Sequence, residues 1–282
     1  MTVRELNVVD IQNMLPERKP DTYKGDYGRV LLLCGSRGYT GAAALAAMGA
    51  LRCGAGLVYL AVPESIYAIE AVKLTEPVVL PMPDDHGMFS ADSKVELAKL
   101  LPKMDAVLVG PGIGCSDGTY KTVKFVLEQF SGPVILDADG INVLQNHIDI
   151  LRGRTNPTIL TPHMGEFTRL SGNEIEDRIS AAMCFASETG TILLLKGNRT
   201  VVTDGNEVFI NPTGNPGMAV GGSGDVLSGI IAALLGQGVL PLLAAAGGAW
   251  LHGAAGDICA NEIGQYGMLP TDMLQVLPRL LK

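Results

Sequence analysis

The sequence predicts an α/β fold in which a mostly parallel central sheet is flanked by helices on both faces. Short β-branched or Leu-rich runs alternate with longer helical patterns. This alternation is typical of parallel strands joined by right-handed crossovers. Most strand candidates are apolar along nearly their whole length, as expected for strands covered on both faces. No linker, repeat or low-complexity segment interrupts the pattern, so residues 1–282 are predicted to form a single domain.

The predicted elements follow one another in a regular order. Strands are expected in the short apolar runs at 29–34, 57–62, 106–109, 134–136, 158–160 and 191–195. Helices are expected in longer segments between them, at 41–53, 94–101, 119–130 and 174–189. The pattern then changes, because 201–203 and 207–210 flank Asp204-Gly205-Asn206 and so predict a hairpin with a tight turn. Helices dominate from Ser223 to the end of the chain.

Composition and charge exclude some classes of function. Apolar residues make up 47% of the chain and aromatic residues only 5%, so the core must be built from Ala, Leu, Val, Ile and Met. The net charge of −8 argues against a general nucleic-acid binder, which needs a basic surface to displace counterions. A nucleotide ligand is not excluded, because backbone N–H groups and helix dipoles can hold phosphates.

Three features predict a cytoplasmic protein that does not associate with membranes. The five cysteines stand far apart without a C-x-x-C motif, which favours reduced, mostly buried thiols. Segment 1–19 is charged and lacks an apolar core, so we expect no signal peptide. Segment 239–255 is rich in Ala and Gly and contains Pro241 and His252, which favours a buried helix over a membrane span.

The segment with the most chemical information runs from Asn215 to Asp225. Its glycines permit positive φ and allow a ligand to approach bare backbone N–H groups, directly before an apolar, helix-like run. A helix N-terminus of this kind is an anion site, and Asp225 beside it is placed to accept a proton from a hydroxyl near a phosphate. The segment alone is equally compatible with a plain glycine-rich turn in which Asp225 only stabilises the first helical turn.

Other unusual loops follow the predicted strands. In open α/β sheets, ligands bind outside the carboxyl ends of the strands, so these loops are expected to form one cleft together with the Gly221-to-Asp225 turn. The loops are Gly35-Ser36-Arg37-Gly38-Tyr39-Thr40-Gly41-Ala42, Gly110-Pro111-Gly112-Ile113-Gly114, Asp137-Ala138-Asp139-Gly140, Thr161-Pro162-His163-Met164-Gly165-Glu166 and Lys196-Gly197-Asn198-Arg199-Thr200.

Taken together, these motifs resemble the ribokinase-like superfamily and, within it, the NAD(P)H-hydrate dehydratases. The resemblance runs from about Gly25 to the C-terminal helix. The Gly-Gly-Ser-Gly-Asp turn points only to the superfamily. The preceding Asn-Pro-Gly-Met-Ala and the Thr-Pro-His-x-Gly-Glu motif are more specific. The resemblance implies a three-layer sandwich with a mostly parallel central sheet.

The resemblance also implies a reaction. The substrate would be (6S)-NADHX or NADPHX, a reduced cofactor whose nicotinamide ring has gained water. A nucleotide, ADP or ATP with Mg²⁺, would phosphorylate the new hydroxyl, and elimination of phosphate would restore NADH or NADPH, with AMP as the other product if ADP is the donor. Asp225 would be the general base, and the N–H groups of Gly222, Ser223, Gly224 and Asp225 would hold the charge that develops on the phosphoryl group.

The remaining loops take roles by the same resemblance. Ala42, Gly112, His163 and Asp225 match positions that contact the hydrated dinucleotide. The nucleotide-binding positions would be Lys196, Gly197, Asn198, Arg199, Thr200 and Gly224. From the residues alone, His163 could instead only cap the following helix, and Lys196 could be an ordinary solvated lysine. Asp137, Asp139 and Glu166 could position Mg²⁺ through water or serve as helix N-caps, and no residue is assigned as a direct metal ligand.

Three other functions fit parts of the same sequence. A small-molecule kinase of the same superfamily, of the thiamin-precursor type, shares the glycine turn and the aspartate but tends to carry Asn at the position of His163. A nucleotide-sensing module without catalysis is disfavoured by the intact Asp225. A dinucleotide-dependent dehydrogenase is disfavoured because no G-x-G-x-x-G opens the first βαβ unit.

Some partner assignments also rest on the resemblance. It favours ADP over ATP as the donor. Together with the Ala- and Gly-rich helix predicted from Leu242 to Ala255, it suggests a homo-oligomer, with a tetramer as one option. The family's bifunctional members carry an epimerase domain for which this chain is too short, so a separate epimerase is expected as a functional partner.

Overall fold

The computed structural model describes residues 3–172 and 174–281. Its main sheet has ten strands in the order β1-β12-β11-β10-β9-β8-β7-β2-β3-β4, and β5 pairs with β6 in a separate hairpin. Strands β1 to β12 are Val3–Arg4, Arg29–Leu33, Leu57–Pro63, Val78–Met82, Asp84–Asp85, Met88–Phe89, Ala106–Val109, Val134–Leu136, Thr158–Leu160, Ile192–Leu195, Val201–Thr203 and Val208–Ile210.

Helices cover both faces of this sheet. Helices α1 to α12 are Val8–Met14, Thr40–Arg52, Glu64–Lys73, Lys94–Leu100, Asp117–Gln129, Asp139–Asn142, Asp149–Arg152, Met164–Ser171, Arg178–Thr189, Ser223–Gly236, Pro241–Glu262 and Pro270–Leu280. Alternate residues of β2 point to opposite faces: Val30 and Leu32 belong to one core cluster, and Leu31 and Leu33 belong to the other. The two cores confirm the predicted three-layer arrangement.

The strands are parallel from β4 across to β10, so their carboxyl ends meet at one edge of the sheet. The hairpin partners β10, β11 and β12 are antiparallel, as predicted from the turn at Asp204-Gly205-Asn206. At the shared edge, the Lys196 N–H donates to the Pro162 carbonyl oxygen at 2.9 Å, and an isolated parallel bridge joins His163 to Lys196. These contacts bring two of the predicted site loops together.

Helix α10, which carries Asp225, packs closely on α2. A Cβ on Gly229 would lie 2.2 Å from the Ala46 carbonyl oxygen, and one on Gly49 would lie 2.7 Å from that of Val226. Glycine at both positions therefore allows the two backbones to approach, which fixes α10 against the sheet. This packing sets where the N-terminal turn of α10 projects.

The six predicted strands are confirmed to within one residue at each end. The predicted helix at 174–189 begins only at Arg178, because Asp177 is its N-cap and accepts hydrogen bonds from the N–H groups of Ile179 and Ser180. Helix α3 and strand β4 were not predicted from the sequence. Strand β4 lies at the edge of the sheet, contains Pro81 and has partly exposed residues, so it lacks the continuous apolar pattern of the central strands.

The predicted buried helix at 239–255 corresponds to α11, which is buried along much of its length. Within residues 3–172 and 174–281, none of the helices combines the length and the apolar character that crossing a bilayer requires.

Candidate active site

The N-terminal turn of α10 is held in an unusual backbone conformation. Gly222, the N-cap, has φ of +95°, which L residues with side chains rarely adopt. A Cβ at this position would also lie 2.4 Å from Cδ1 of Leu45. Glycine is therefore required at Gly222 for the chain to enter the helix in this direction.

This turn presents unpaired backbone donors. Within the part of the chain that the structure describes, the N–H groups of Gly222, Gly224 and Asp225 have no protein acceptor. The N–H of Ser223 instead donates to the Val220 carbonyl oxygen at 3.3 Å. Three free N–H groups at the positive end of a helix of 14 residues form a site for an anion such as a phosphoryl group.

Asp225 is half-buried in the first turn of α10. Its burial and the negative charge of Asp137 raise the pKa of its carboxyl group to about 6, and the nearby Lys196 ammonium partly offsets this rise. A carboxylate with a pKa in this range is largely deprotonated at neutral pH and is a stronger base than an ordinary aspartate. Its position beside the free N–H groups suits it to take a proton from a hydroxyl that attacks a bound phosphoryl group.

Lys196 lies at the carboxyl end of β10, among carboxylates. Its Nζ is 2.9 Å from Oδ1 of Asp137 and 3.9 Å from Oε2 of Glu166. Burial disfavours the ammonium charge, but Asp137, Glu166 and Asp225 outweigh this effect and raise the pKa of Lys196. The side chain is only 21% exposed, so Lys196 is not an ordinary solvated lysine.

Gly224 leaves space between Lys196 and the anion site. A Cβ on Gly224 would lie 3.5 Å from Nζ of Lys196 and 3.9 Å from Oδ2 of Asp137. Without that side chain, the lysine ammonium faces the first turn of α10 directly. The ammonium and the free N–H groups are thus placed to contact one phosphate chain.

His163 is the N-cap of α8 and forms a capping box with Glu166. The His163 N–H donates to Oε2 of Glu166 at 2.8 Å, and the Glu166 N–H donates to Nδ1 of His163 at 3.3 Å. The helix-cap interpretation is therefore confirmed. The imidazole is nevertheless 56% exposed, although its Nε2 lies 3.5 Å from Oε1 of Glu166, so part of the ring remains accessible to a ligand.

Gly112 and Ala42, two of the predicted substrate contacts, lie next to each other. Gly112 has φ of +65°, and a Cβ on it would lie 3.0 Å from Cβ of Ala42 and 2.9 Å from Cβ of Tyr39. The loops after β2 and β7 therefore meet at these residues. A side chain at Gly112 would close the space between them.

The carboxylates that sequence alone left open have partners within the protein. Asp137 is paired with Lys196, and Glu166 serves in the capping box. Asp139 accepts hydrogen bonds from the Gly114 N–H at 3.0 Å and from Nδ2 of Asn142 at 3.2 Å, so it ties two loops together. The residues that the structure describes contain no group of three or more His, Cys, Asp or Glu side chains arranged to hold a metal ion.

The predicted nucleotide loop is shaped by a residue that the sequence analysis missed. Arg178, the first residue of α9, donates from its guanidinium to the carbonyl oxygens of Asn198 at 2.8 Å, Leu195 at 3.1 Å and Lys196 at 3.4 Å. Within the loop, Oγ1 of Thr200 donates to the Gly197 carbonyl oxygen at 2.9 Å. Arg199 pairs with Glu5 near the N-terminus, so its guanidinium is directed toward β1.

Two further contacts to α11 were also missed. Oγ of Ser223 lies 3.1 Å from Nε2 of the buried His252. Asp257 accepts hydrogen bonds from the Gly214 N–H and from Nδ2 of Asn215, both at 2.9 Å. Only the isolated His252 in an Ala- and Gly-rich helix was visible in the sequence, and no local motif indicates its partner.

Several known proteins are similar to this chain. A family model described as NAD(P)H-hydrate dehydratase matches residues 30–279. The bifunctional NAD(P)H-hydrate repair enzyme Nnr of Moorella thermoacetica is 46% identical over 286 residues, covering 99% of this chain and 54% of that protein. The chain thus spans about half the length of the curated relatives it matches.

Solved structures cover the fold along almost its whole length. A ribokinase-like superfamily protein from Enterococcus faecalis superimposes with a TM-score of 0.87 at 30% identity, covering 99% of this chain and 95% of the other. The ADP/ATP-dependent NAD(P)H-hydrate dehydratase of Bacillus subtilis, co-crystallised with ATP and Mg²⁺, gives a TM-score of 0.85 at 32% identity, covering 99% and 98%. The resemblance read from the motifs is confirmed: this chain has a ribokinase-like fold and belongs to the NAD(P)H-hydrate dehydratase family.

Proposed function

We propose that this chain catalyses the nucleotide-dependent dehydration of (6S)-NADHX and NADPHX to NADH and NADPH, a repair of damaged cofactors. One observation carries the proposal. Asp225, whose carboxyl pKa is raised to about 6, lies in the same turn of α10 as three N–H groups that are free to bind an anion. Hydroxide is a poor leaving group and phosphate a good one, so transfer of a phosphoryl group to the ring hydroxyl makes the elimination possible.

In the first step, the oxygen of the ring hydroxyl attacks the terminal phosphorus of the nucleotide, and Asp225 accepts the hydroxyl proton. The N–H groups of Gly222, Gly224 and Asp225 stabilise the charge on the transferred phosphoryl oxygens. The bond between that phosphorus and the bridging oxygen breaks, and AMP leaves if ADP is the donor. The phosphate ester then expels inorganic phosphate and the ring loses a proton, which restores the dihydropyridine.

The nucleotide would lie along the loop from Lys196 to Thr200, with the Lys196 ammonium near its phosphates. The Bacillus subtilis relative is ADP/ATP-dependent and was crystallised with ATP and Mg²⁺, which supports the same co-substrate and ion here. Magnesium would neutralise phosphate charge. Asp137 and Glu166, whose carboxylates both lie within 4 Å of Nζ of Lys196, would position it through water.

The dinucleotide would lie across the loops that carry Ala42, Gly112 and His163. Gly112 presents backbone without a side chain next to Ala42, and the half-exposed imidazole of His163 offers the ligand a ring to contact. These contacts remain proposals, as does the assignment of Gly197, Asn198, Arg199, Thr200 and Gly224 to the nucleotide.

Three further proposals concern the setting of the enzyme. An epimerase activity is proposed to accompany it, since the bifunctional relatives extend over about twice the length of this chain. A homo-oligomer is proposed from the family resemblance, with a tetramer as one option. A cytoplasmic location is proposed because all five cysteines are free thiols, as is usual in a reducing compartment.

The test uses purified protein with NADPHX, Mg²⁺ and either ADP or ATP, and follows the return of reduced-nicotinamide absorbance. We expect recovery only when a nucleotide is present, with the better donor identified in the same assay. Recovery should stop with one epimer left unless an epimerase is added. If folded protein gives no recovery with either donor, the dehydratase proposal fails. The superfamily alternative, a small-molecule kinase, would then be tested by screening alcohols for a phosphate ester that persists.

A further inference from the structure

His252 is a buried polar side chain in the middle of α11, where most neighbours along the helix are Ala or Gly. The residue is only 9% exposed. Burying an imidazole costs free energy unless its nitrogens find hydrogen-bond partners. One such partner is the hydroxyl of Ser223, with Oγ 3.1 Å from Nε2.

The ring is neutral near pH 7. Burial lowers the pKa of His252 to about 4, with the positive charge of Lys196 acting in the same direction and a hydrogen bond with the Ser223 backbone opposing it. A neutral imidazole has one donor and one acceptor nitrogen, so it can hold a hydroxyl without adding a charge beside Asp225. The contact is therefore a neutral hydrogen bond between two helices.

Ser223 stands at a sensitive point of the site. It is the first residue of α10, follows the left-handed Gly222 and precedes Asp225 by two positions. Its own N–H is used by the Val220 carbonyl. The hydroxyl joins this turn to α11, and the Ser223 backbone makes a second hydrogen bond to the same imidazole.

Helix α11 also contacts Thr213, Gly214 and Asn215, at the other end of the segment that leads to Ser223. Oγ1 of Thr213 donates to the Trp250 carbonyl oxygen at 2.9 Å, and Asp257 binds Gly214 and Asn215. A Cβ on Gly253 would lie 2.2 Å from Oγ1 of Thr213, so the segment and the helix are in direct contact. Residues 213–223 are consequently anchored to α11 at both ends, with His252 as the anchor nearest to Asp225.

We propose that His252 is a positioning residue for phosphoryl transfer: through the hydroxyl of Ser223 it fixes the first turn of α10, and thereby the free N–H groups and Asp225. This inference rests on the proposed function. In active sites a misplacement of about 1 Å can cost on the order of 10²-fold in rate, so a single anchor at this point affects kcat.

The test is a double-mutant cycle on kcat with His252→Leu and Ser223→Ala. We expect each single change to lower kcat roughly 10- to 100-fold with little change in the KM of NADPHX. The double variant should lose no more than the worse single variant, because both changes remove the same contact. His252→Gln, whose amide reaches toward the same hydroxyl, should recover part of the rate. Losses that multiply in the double variant, or a wild-type kcat in His252→Leu, would overturn the proposal.

A control variant separates positioning from general damage to α11. Cys259 lies in the same helix as His252 and is fully buried. It is distant from Ser223 in sequence and makes none of the proposed site contacts, so Cys259→Ala is the control. It should lower the thermal midpoint while leaving kcat unchanged. If it lowers kcat as much as His252→Leu does, the effect belongs to the helix and the proposal fails.

A second measurement does not depend on turnover. With only four histidines in the chain, ¹⁵N-histidine NMR can follow His252 in Ser223→Ala, in which the histidine itself is intact. A change in its two ring-nitrogen shifts is expected, and unchanged shifts would mean that no hydrogen bond exists in solution. If wild-type protein shows no dehydration while this NMR change is present, the proposed function has failed and the contact has not.

Discussion

The turn that carries Asp225 and the loop from Lys196 to Thr200 lie at the same edge of the sheet but are held in place differently. The turn owes its shape to its own sequence, through the left-handed Gly222, and to the Ser223–His252 contact. The loop owes its shape to a residue outside it, because Arg178 binds three carbonyl oxygens of Leu195, Lys196 and Asn198. Changes in the turn should therefore affect the chemical step, and changes around the loop should affect binding of the nucleotide.

The largest effect is expected from Asp225→Asn. Asparagine keeps the size and the helical turn but cannot accept the hydroxyl proton, so kcat should fall by roughly 10²- to 10⁴-fold, the usual contribution of a general base. Affinity for ADP, measured by calorimetry, should change little because the N–H groups and Lys196 are untouched. Turnover close to wild type would remove Asp225 from the mechanism.

Gly222→Ala should give the next largest effect. Alanine at φ of +95° is strained by an amount on the order of 1–3 kcal/mol, and the turn is expected to relax away from its present geometry. We expect kcat to fall about 10- to 100-fold, since the free N–H groups move with the backbone. The matched control is Gly221→Ala, because Gly221 does not have a positive φ and a Cβ there would meet nothing within 4 Å. Equal losses in the two variants would contradict the role given to the backbone of Gly222.

Arg178→Lys tests how the loop from Lys196 to Thr200 is held in place. Lysine keeps the charge but cannot span three carbonyl oxygens, so the loop should lose its fixed shape. The KM of the nucleotide should rise roughly tenfold, the value of about one hydrogen bond to a charged group, while kcat at saturation changes much less. Arg152→Lys, a change at an exposed arginine that pairs with Asp149, provides the control. A loss confined to kcat would place Arg178 in the chemistry of the turn instead.

The same contrast explains how much the sequence could predict. The central strands and the motif around Asp225 were predictable because their signals are local: continuous apolar runs in one case, glycines before a helix in the other. His252 and Arg178 were missed because each acts on residues 17 to 29 positions away in the chain, a distance at which no spacing rule applies. The edge strand β4 was missed because a strand that contains Pro81 shows neither the continuous apolar run nor a clear alternation.

The smallest but most specific effect is a shift in the pH dependence of kcat/KM. Asp225 acts only when deprotonated, so activity should rise with pH through its pKa of about 6. The Lys196 ammonium favours the charged carboxylate, and the Asp137 carboxylate opposes it. Lys196→Met should therefore raise the pKa of Asp225 and move the acidic limb of the profile to higher pH. Asp137→Asn should move the same limb to lower pH.

The pair of opposite shifts separates electrostatic control of Asp225 from loss of nucleotide binding. Both variants are expected to have lower plateau rates, because both residues lie beside the proposed phosphate site. Only the midpoint of the acidic limb reports the charge around Asp225, and it should move in opposite directions in the two variants. Limbs that move the same way, or not at all, would mean that another group limits the rate at low pH. The turn would then keep its role in holding phosphate, while the identity of the general base would be open again.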